Sequence, residues 1–425
     1  MLNRKKAPIF KKIERINFLN PQKILLKNKI PLYFIDANSE DLICIDFIFE
    51  GGIFHQKKSL VASFTNLLVY EGTKNFSSSE ISKKMDFFGS YLKKSVGKYS
   101  SSLVLYSLNK HIEKILPIFE EIIKYPSFPE KEVKNFIERA KQSFNISKEK
   151  IETIADIKFK EVLFGKKHPF GKKVEISDFS RVNFIQELKE FHKKFYNAEN
   201  CKIIVSGKIK KNLFDLLNKH FGGLDFVKNI KNSKIETIIN TEKEKNHFIL
   251  KENSLQSSLR LGKFLFNKSH KDFQGMEILN KVFGSYFGSR LMSNIREDKA
   301  YTYGIYSYLA VLKGTSYLLI SSEVGKDLAK KSINEVYFEM KKLRNELISE
   351  EELELVRNYY LGEMLRSFDG AFANASVFKN LLEYNLDYSY FENFIKKLQT
   401  IRPKELNILA NKYLLEDNFI EIVVG

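Results

Sequence analysis

Residues Leu42–Phe49 (LICIDFIF) form a short run that is apolar at every position but one, the pattern of a buried strand. It ends at the turn residues Glu50-Gly51-Gly52. A helix is predicted next over 59–71, with Gly72 as its stop. The spacing Ser77-x-x-Glu80 is a capping box and starts a second helix, whose apolar face is Ile81, Met85 and Phe88 and which Gly89 closes. Residues 101–106 read as another strand. After it, Ile112, Ile115, Leu116, Phe119, Ile122 and Ile123 keep the 3.6-residue period of an amphipathic helix. Phe128-Pro129-Glu130-Lys131-Glu132 then opens a further helix, with acidic residues in its first turn.

The second half repeats this order. Residues 317–322 read as a strand, a long helix is predicted over about 327–347, and Ile348-Ser349-Glu350-Glu351-Glu352 opens the next helix. A closer echo joins 188–207 (LKEFHKKFYNAENCKIIVSG) to 406–425 (LNILANKYLLEDNFIEIVVG). Without gaps, Leu, Lys, Asn, Ile, Val and Gly recur in step. Each segment reads as an amphipathic helix, an Asn-bearing turn and an apolar strand ending in Gly. Agreement at two places in the same order points to an internal duplication. Mixed strands and long helices place both copies in the α+β class: two homologous lobes, each a largely antiparallel sheet covered by long helices. The expected division is an N-terminal lobe over 1–228, a polar Lys- and Asn-rich linker over 229–246, and a C-terminal lobe over 247–425.

Composition narrows the function. At 425 residues the chain has room for two or three domains, and 37 Phe and 20 Tyr provide large apolar contacts. No stretch approaches the roughly 18 uncharged apolar residues of a membrane helix. The basic start, 1–12, is followed by no apolar core of a secretory signal. Cys44 and Cys201 are far apart in sequence, which excludes a disulfide framework and suits a reducing compartment. These features predict a cytoplasmic protein without a membrane partner. The net charge of +18 is carried by Lys spread along the whole chain, beside heavy Asn, Ile and Phe usage, and reads as compositional drift. No recognised module or concentrated basic stripe supports nucleic-acid binding.

The strand, Gly-containing turn, helix and Gly72-Thr73 together resemble the N-terminal lobe of the pitrilysin/insulinase (M16) zinc peptidases, which include the mitochondrial processing peptidases. In that family the helix carries H-x-x-E-H. Two His one turn apart bind Zn²⁺, and the Glu between them activates the metal-bound water. Counting back from Gly72-Thr73, the His positions are Ser63 and Leu67 and the Glu position is Asn66. Leu67 has no donor atom and Asn66 cannot act as a base. The region of the third ligand, near Gln142 and Ser143, offers no Glu. Independently of the family, no two of the seven His lie closer than 23 residues, so no helix presents a His pair. The resemblance implies that this chain holds no metal and no catalytic residue. His168, within Lys167-His168-Pro169-Phe170-Gly171, matches a family turn and reads as structural.

The second half resembles the family's C-terminal lobe at Ser289-Arg290-Leu291, followed by Arg296-Glu297 and by Tyr303-Gly304. In the family an Arg and a Tyr at this spacing reach the substrate backbone near the zinc. The resemblance therefore implies that Arg296 and Tyr303 bind substrate. It also implies the rest of the assembly: a heterodimer in which a partner M16 subunit carries H-x-x-E-H and zinc, and the two enclose unfolded peptides. The alternative it leaves open is a structural subunit without proteolysis, like the family's core proteins of a respiratory complex.

Overall fold

The computed structural model describes residues 13, 16–37, 41–227, 241 and 244–425. Most of the expected linker, 229–246, lies outside the described residues; its last residue, Asn246, already begins a strand. Eleven described strands form two sheets. The first contains β1 Gln22–Leu25, β2 Pro31–Asp36, β3 Leu42–Phe49, β4 Tyr91–Val96, β5 Ser101–Leu108 and β6 Cys201–Gly207, in the order β1-β2-β6-β3-β5-β4. The second contains β7 Asn246–Ile249, β8 Gln256–Leu265, β9 Thr302–Val311, β10 Ser316–Gly325 and β11 Ile420–Val424, in the order β7-β11-β8-β10-β9. Every pairing is antiparallel except β2 with β6 and β7 with β11.

The duplication is visible in the register. Central strand β3 lies between β5 and β6, as β8 lies between β10 and β11. Asp46 pairs with Ile204, and Arg260 pairs with Ile422. Ile204 and Ile422 are the same position of the repeated segment, so Asp46 and Arg260 occupy one and the same place in the two lobes. The recurring terminal Gly also has a physical reason. A side chain on Gly207 would meet the Leu42 carbonyl oxygen at 2.4 Å, and one on Gly425 would meet Ser257 Oγ at 2.2 Å.

Because side chains alternate across a strand, β3 is apolar on both faces only if both are covered. Ile43, Ile45, Phe47 and Phe49 enter the core of the first lobe. The opposite face, with Ile48 and Ile204, is covered by the helix Gly370–Glu383 from the second half through Phe378 and Leu381. The second sheet receives the converse. Its face bearing Leu319, Ile420, Ile422 and Val424 is covered by the helix Ile151–Phe164 from the first half, through Ala155, Phe159, Val162 and Leu163. Gly262 permits this approach, since a Cβ there would meet Phe159 Cζ at 2.6 Å. Each lobe thus lends one helix to the other.

An ion pair bolts each lent helix down. Lys379 Nζ lies 2.8 Å from Asp46 Oδ2 and 2.7 Å from Ser102 Oγ, which itself donates to Asp46. In the other lobe the polarity is reversed: Arg260 on the strand donates to Asp156 Oδ1 on the helix at 2.6 Å and to Glu323 Oε1 at 3.0 Å.

Two element boundaries differ from the sequence pattern. The helix predicted over 59–71 is Val61–Leu68, because Leu60 takes φ +72°, which an α-helix cannot contain. The helix predicted over 327–347 is Ala329–Asn345, preceded by a 3₁₀ turn at Lys326–Leu328.

The two bolts should fail unequally. Asp46 is 13% exposed at its side chain, whereas Asp156 and Glu323 are 45% and 40% exposed and can be hydrated without Arg260. Lys379→Ala is expected to cost about 3 kcal/mol and Arg260→Ala about 1–2 kcal/mol. Adding Asp46→Asn should recover much of the Lys379→Ala loss. Urea unfolding midpoints of the three variants check this ordering.

Candidate functional site

Val61–Leu68 is the helix on which metal ligands were sought. Its Asn66 is fully buried and donates from Nδ2 to Tyr196 Oη at 3.0 Å and to the Ser102 carbonyl at 3.4 Å. Burial pushes the Tyr196 hydroxyl up to about 12, so it stays neutral. An amide suits this dry pocket; an ionised carboxylate would be buried there without a counter-charge. Phe64 packs among Phe136, Phe179 and Phe184 at centroid distances of 4.9, 6.0 and 5.5 Å. Ser63 and Leu67 are half-buried, and the Leu67 carbonyl accepts from Lys94 Nζ at 3.2 Å. Gln142 and Ser143 are exposed on the helix Glu130–Ser147. A serine hydroxyl, an aliphatic chain and a buried amide do not make a zinc donor set. Among the described residues no three His, Cys, Asp or Glu side chains come together as metal ligands. Two of the histidines have evident structural roles: His220 Nδ1 lies 2.7 Å from Glu120, and His168 is buried, stacked on Phe164 with a centroid distance of 5.0 Å. The two cysteines are free and buried.

The other candidate pair is positioned by unusual backbone. Arg296 sits in Met292–Asp298, a stretch of π-helix, a rare form that occurs mostly as short bulges and is frequent at functional sites. Ala300 follows at φ +54°, and the Lys299 amide bonds back to the Asn294 carbonyl at 3.1 Å. The segment is anchored from beneath. Leu291, Met292 and Ile295 are in the core, and Asn294 Nδ2 donates to buried Glu339 at 2.7 Å. Arg290 forks onto both oxygens of Glu352 at 2.9 and 2.8 Å. Of the two arginines, Arg290 therefore fastens the turn and Arg296 is the one directed outward. Its guanidinium lies over the Phe287 ring at 4.5 Å, with Glu297 only at 3.8 Å.

Tyr303 is placed by a bulge. Between Ser322/Ile305 and Val324/Thr302, β9 carries one residue more than β10, which re-aims the edge strand. Thr302 Oγ1 pins the distortion, donating to the Glu323 carbonyl at 2.6 Å. Tyr303 is 92% exposed as a result. Arg296 and Tyr303 line one open cavity of about 710 Å³, together with Glu297, Tyr301, Thr302 and Glu323.

Comparison with known proteins identifies the architecture. The description "Insulinase (Peptidase family M16)" matches residues 49–166, and "Peptidase M16 inactive domain" matches 183–360. The chain belongs to the M16 peptidase family. It is 20% identical to the Bacillus subtilis protein named uncharacterized zinc protease YmxG, over 85% of this chain and 88% of that protein. The M16 inactive domain of Pseudomonas fluorescens superposes with a TM-score of 0.85 at 22% identity, covering 96% of this chain and 98% of that one. A protease from Helicobacter pylori also superposes at 0.85, with 18% identity over 96% and 100% of the two chains. The two-lobed α+β fold is thus that of M16 proteins, while this M16 chain lacks the family's zinc-binding motif.

Sequence reading passed over one group. Lys57, Lys58, Lys98, Lys160, Lys172 and Lys173 converge around Ser63. The doublets at 57–58 and 172–173 were the available signal, diluted by lysine throughout the chain.

At the outward cavity, exposed side chains and those that hold the fold are distinct. Tyr303→Ala should leave the thermal unfolding midpoint nearly unchanged, within about 0.5 kcal/mol, because the side chain is exposed. Arg290→Ala should cost about 2 kcal/mol by releasing the Glu352 fork.

Proposed function

We propose that this chain is the non-catalytic subunit of a heterodimeric M16 zinc metallopeptidase. A partner M16 chain carrying H-x-x-E-H holds the zinc and cleaves the peptide; this chain presents Arg296 and Tyr303 to the substrate backbone. The observation that carries the reading is one cavity lined by an outward Arg and Tyr, in a chain whose metal helix has become core. The planar guanidinium, 4.5 Å over the Phe287 ring, offers a fork of donors to a peptide carbonyl. The exposed Tyr303 hydroxyl is free to donate to a carbonyl oxygen as negative charge develops on it. No helix among the described residues is long and apolar enough to cross a membrane, and the free buried cysteines suit a reducing compartment; we assign the pair to the cytoplasm.

Purification of the tagged chain from its native lysate tests the proposal. The expected result is a co-purifying M16 subunit with H-x-x-E-H and chelator-sensitive peptide hydrolysis by the complex alone. Arg296→Ala and Tyr303→Phe should each lower kcat/KM by about 100-fold, with complex formation and zinc content unchanged. Hydrolysis by the isolated chain would overturn the reading. An intact complex whose activity ignores both substitutions would instead favour a structural, core-protein-like subunit.

A further inference from the structure

A second cavity, of about 410 Å³, opens beside Ser63, on the opposite side of the duplication from the Arg296–Tyr303 cavity in sequence terms. Four separate segments of the first half supply its charge: Lys57 and Lys58, Lys98, Lys160, and Lys172 and Lys173. No Asp or Glu is among its lining residues. Glu187 compensates Lys58 at 2.5 Å and Glu175 compensates Lys173 at 3.4 Å. Among the described residues, Lys57, Lys98, Lys160 and Lys172 have no carboxylate within ion-pair distance. Lys98 lies at the floor, half-buried, with its Nζ donating to the Val311 carbonyl at 3.3 Å. Burial first, and then the charge of Lys160, pull its ammonium below the ordinary lysine range. The rest of the floor is apolar and aromatic, from Phe144, Phe164, Phe170 and Tyr317.

Like charges gathered over a partly desolvated floor are unfavourable unless an anion offsets them. Lys58, Lys173 and Lys98 are tied into the fold by Glu187, Glu175 and the Val311 carbonyl, but among the described residues Lys57, Lys160 and Lys172 have no such partner, and the lent helix Ile151–Phe164 is seated by its apolar face and Asp156 without Lys160. The volume falls in the range of ligand-binding clefts. We propose that this cavity captures an acidic, aromatic- or leucine-bearing peptide segment, its carboxylates meeting the lysine rim and its apolar side chains the floor. Two features favour a peptide over a single phosphate group. The charges are spread over four segments of chain, and no arginine fork is among the lining residues. The choice of a peptide as the anion rests on the peptide-handling function proposed above; capture by the isolated chain needs neither partner nor zinc.

The test is fluorescence anisotropy on the full-length chain alone. The probes are a labelled peptide alternating Glu with Phe and Leu, its Lys-for-Glu counterpart, and unlabelled tripolyphosphate as competitor. The acidic peptide is expected to bind and the basic one not to, with affinity falling as salt rises. The triple variant Lys57→Gln/Lys160→Gln/Lys172→Gln should bind about tenfold more weakly or worse, with an unfolding midpoint equal to or above that of the parent. The double variant Lys330→Gln/Lys331→Gln, at exposed positions at the start of the helix Ala329–Asn345 in the second half, should keep the affinity. Equal binding of both peptides, no binding of the acidic peptide, an equal loss in the control variant, or displacement by tripolyphosphate as effective as by the unlabelled acidic peptide would overturn the proposal. Because no catalysis is read, failure here leaves the split-site reading standing, and failure of that reading leaves anion capture measurable.

Discussion

The fold depends on the reciprocal loan of one helix between its two halves. A sheet with apolar side chains on both faces must find cover for both, and in each lobe one face is covered by a helix from the other half. Gly370–Glu383 closes the first sheet and Ile151–Phe164 closes the second. The apolar contacts supply most of the stabilisation, while the Asp46–Lys379 and Arg260–Asp156 pairs fix where each helix sits. That the strand carries the acid in one lobe and the base in the other is a consequence of this exchange. With opposite signs at equivalent places, each lent helix meets complementary charge only on its proper sheet, and the wrong pairing would bring like charges together.

The same duplication frees the two lobes to differ in chemistry. In the first, the helix Val61–Leu68 has been absorbed into packing: Phe64 is ringed by aromatics and Asn66 is hydrogen-bonded inside. In the second, rigid anchors are used to push side chains out. The π-helix, the bulge in β9 and the Arg290–Glu352 fork hold Arg296 and Tyr303 at the surface.

Much of this was legible in the residues. Periodicity located β3, β5 and the helix Ile112–Lys124, and the capping box at Ser77 is present as written. The repeat predicted two homologous lobes with the same succession of elements, and the strand orders of the two sheets match accordingly. The helix loan was not legible, because the apolar stripe of Ile151–Phe164 says that it packs and not on which sheet; that choice is made by contacts far apart in sequence. The helix predicted from 59 begins only at Val61 for a local reason, the left-handed backbone at Leu60, which no propensity scale assigns to leucine. Tyr303 is exposed through a bulge that only the partner strand reveals, and the lysine cavity joins segments that are unremarkable one at a time.

The loan of helices also sets an order of events during synthesis. β6 completes the first sheet at Gly207, yet the helix that covers its outer face begins only at Gly370. While the second half is being translated, Ile35, Ile48 and Ile204 stand uncovered on a finished sheet, and the helix Ile151–Phe164 waits with its own apolar stripe in water. The nascent chain is therefore most prone to association in that interval, and it is the stage at which a chaperone, or a partner subunit already folded, has the most surface to hold.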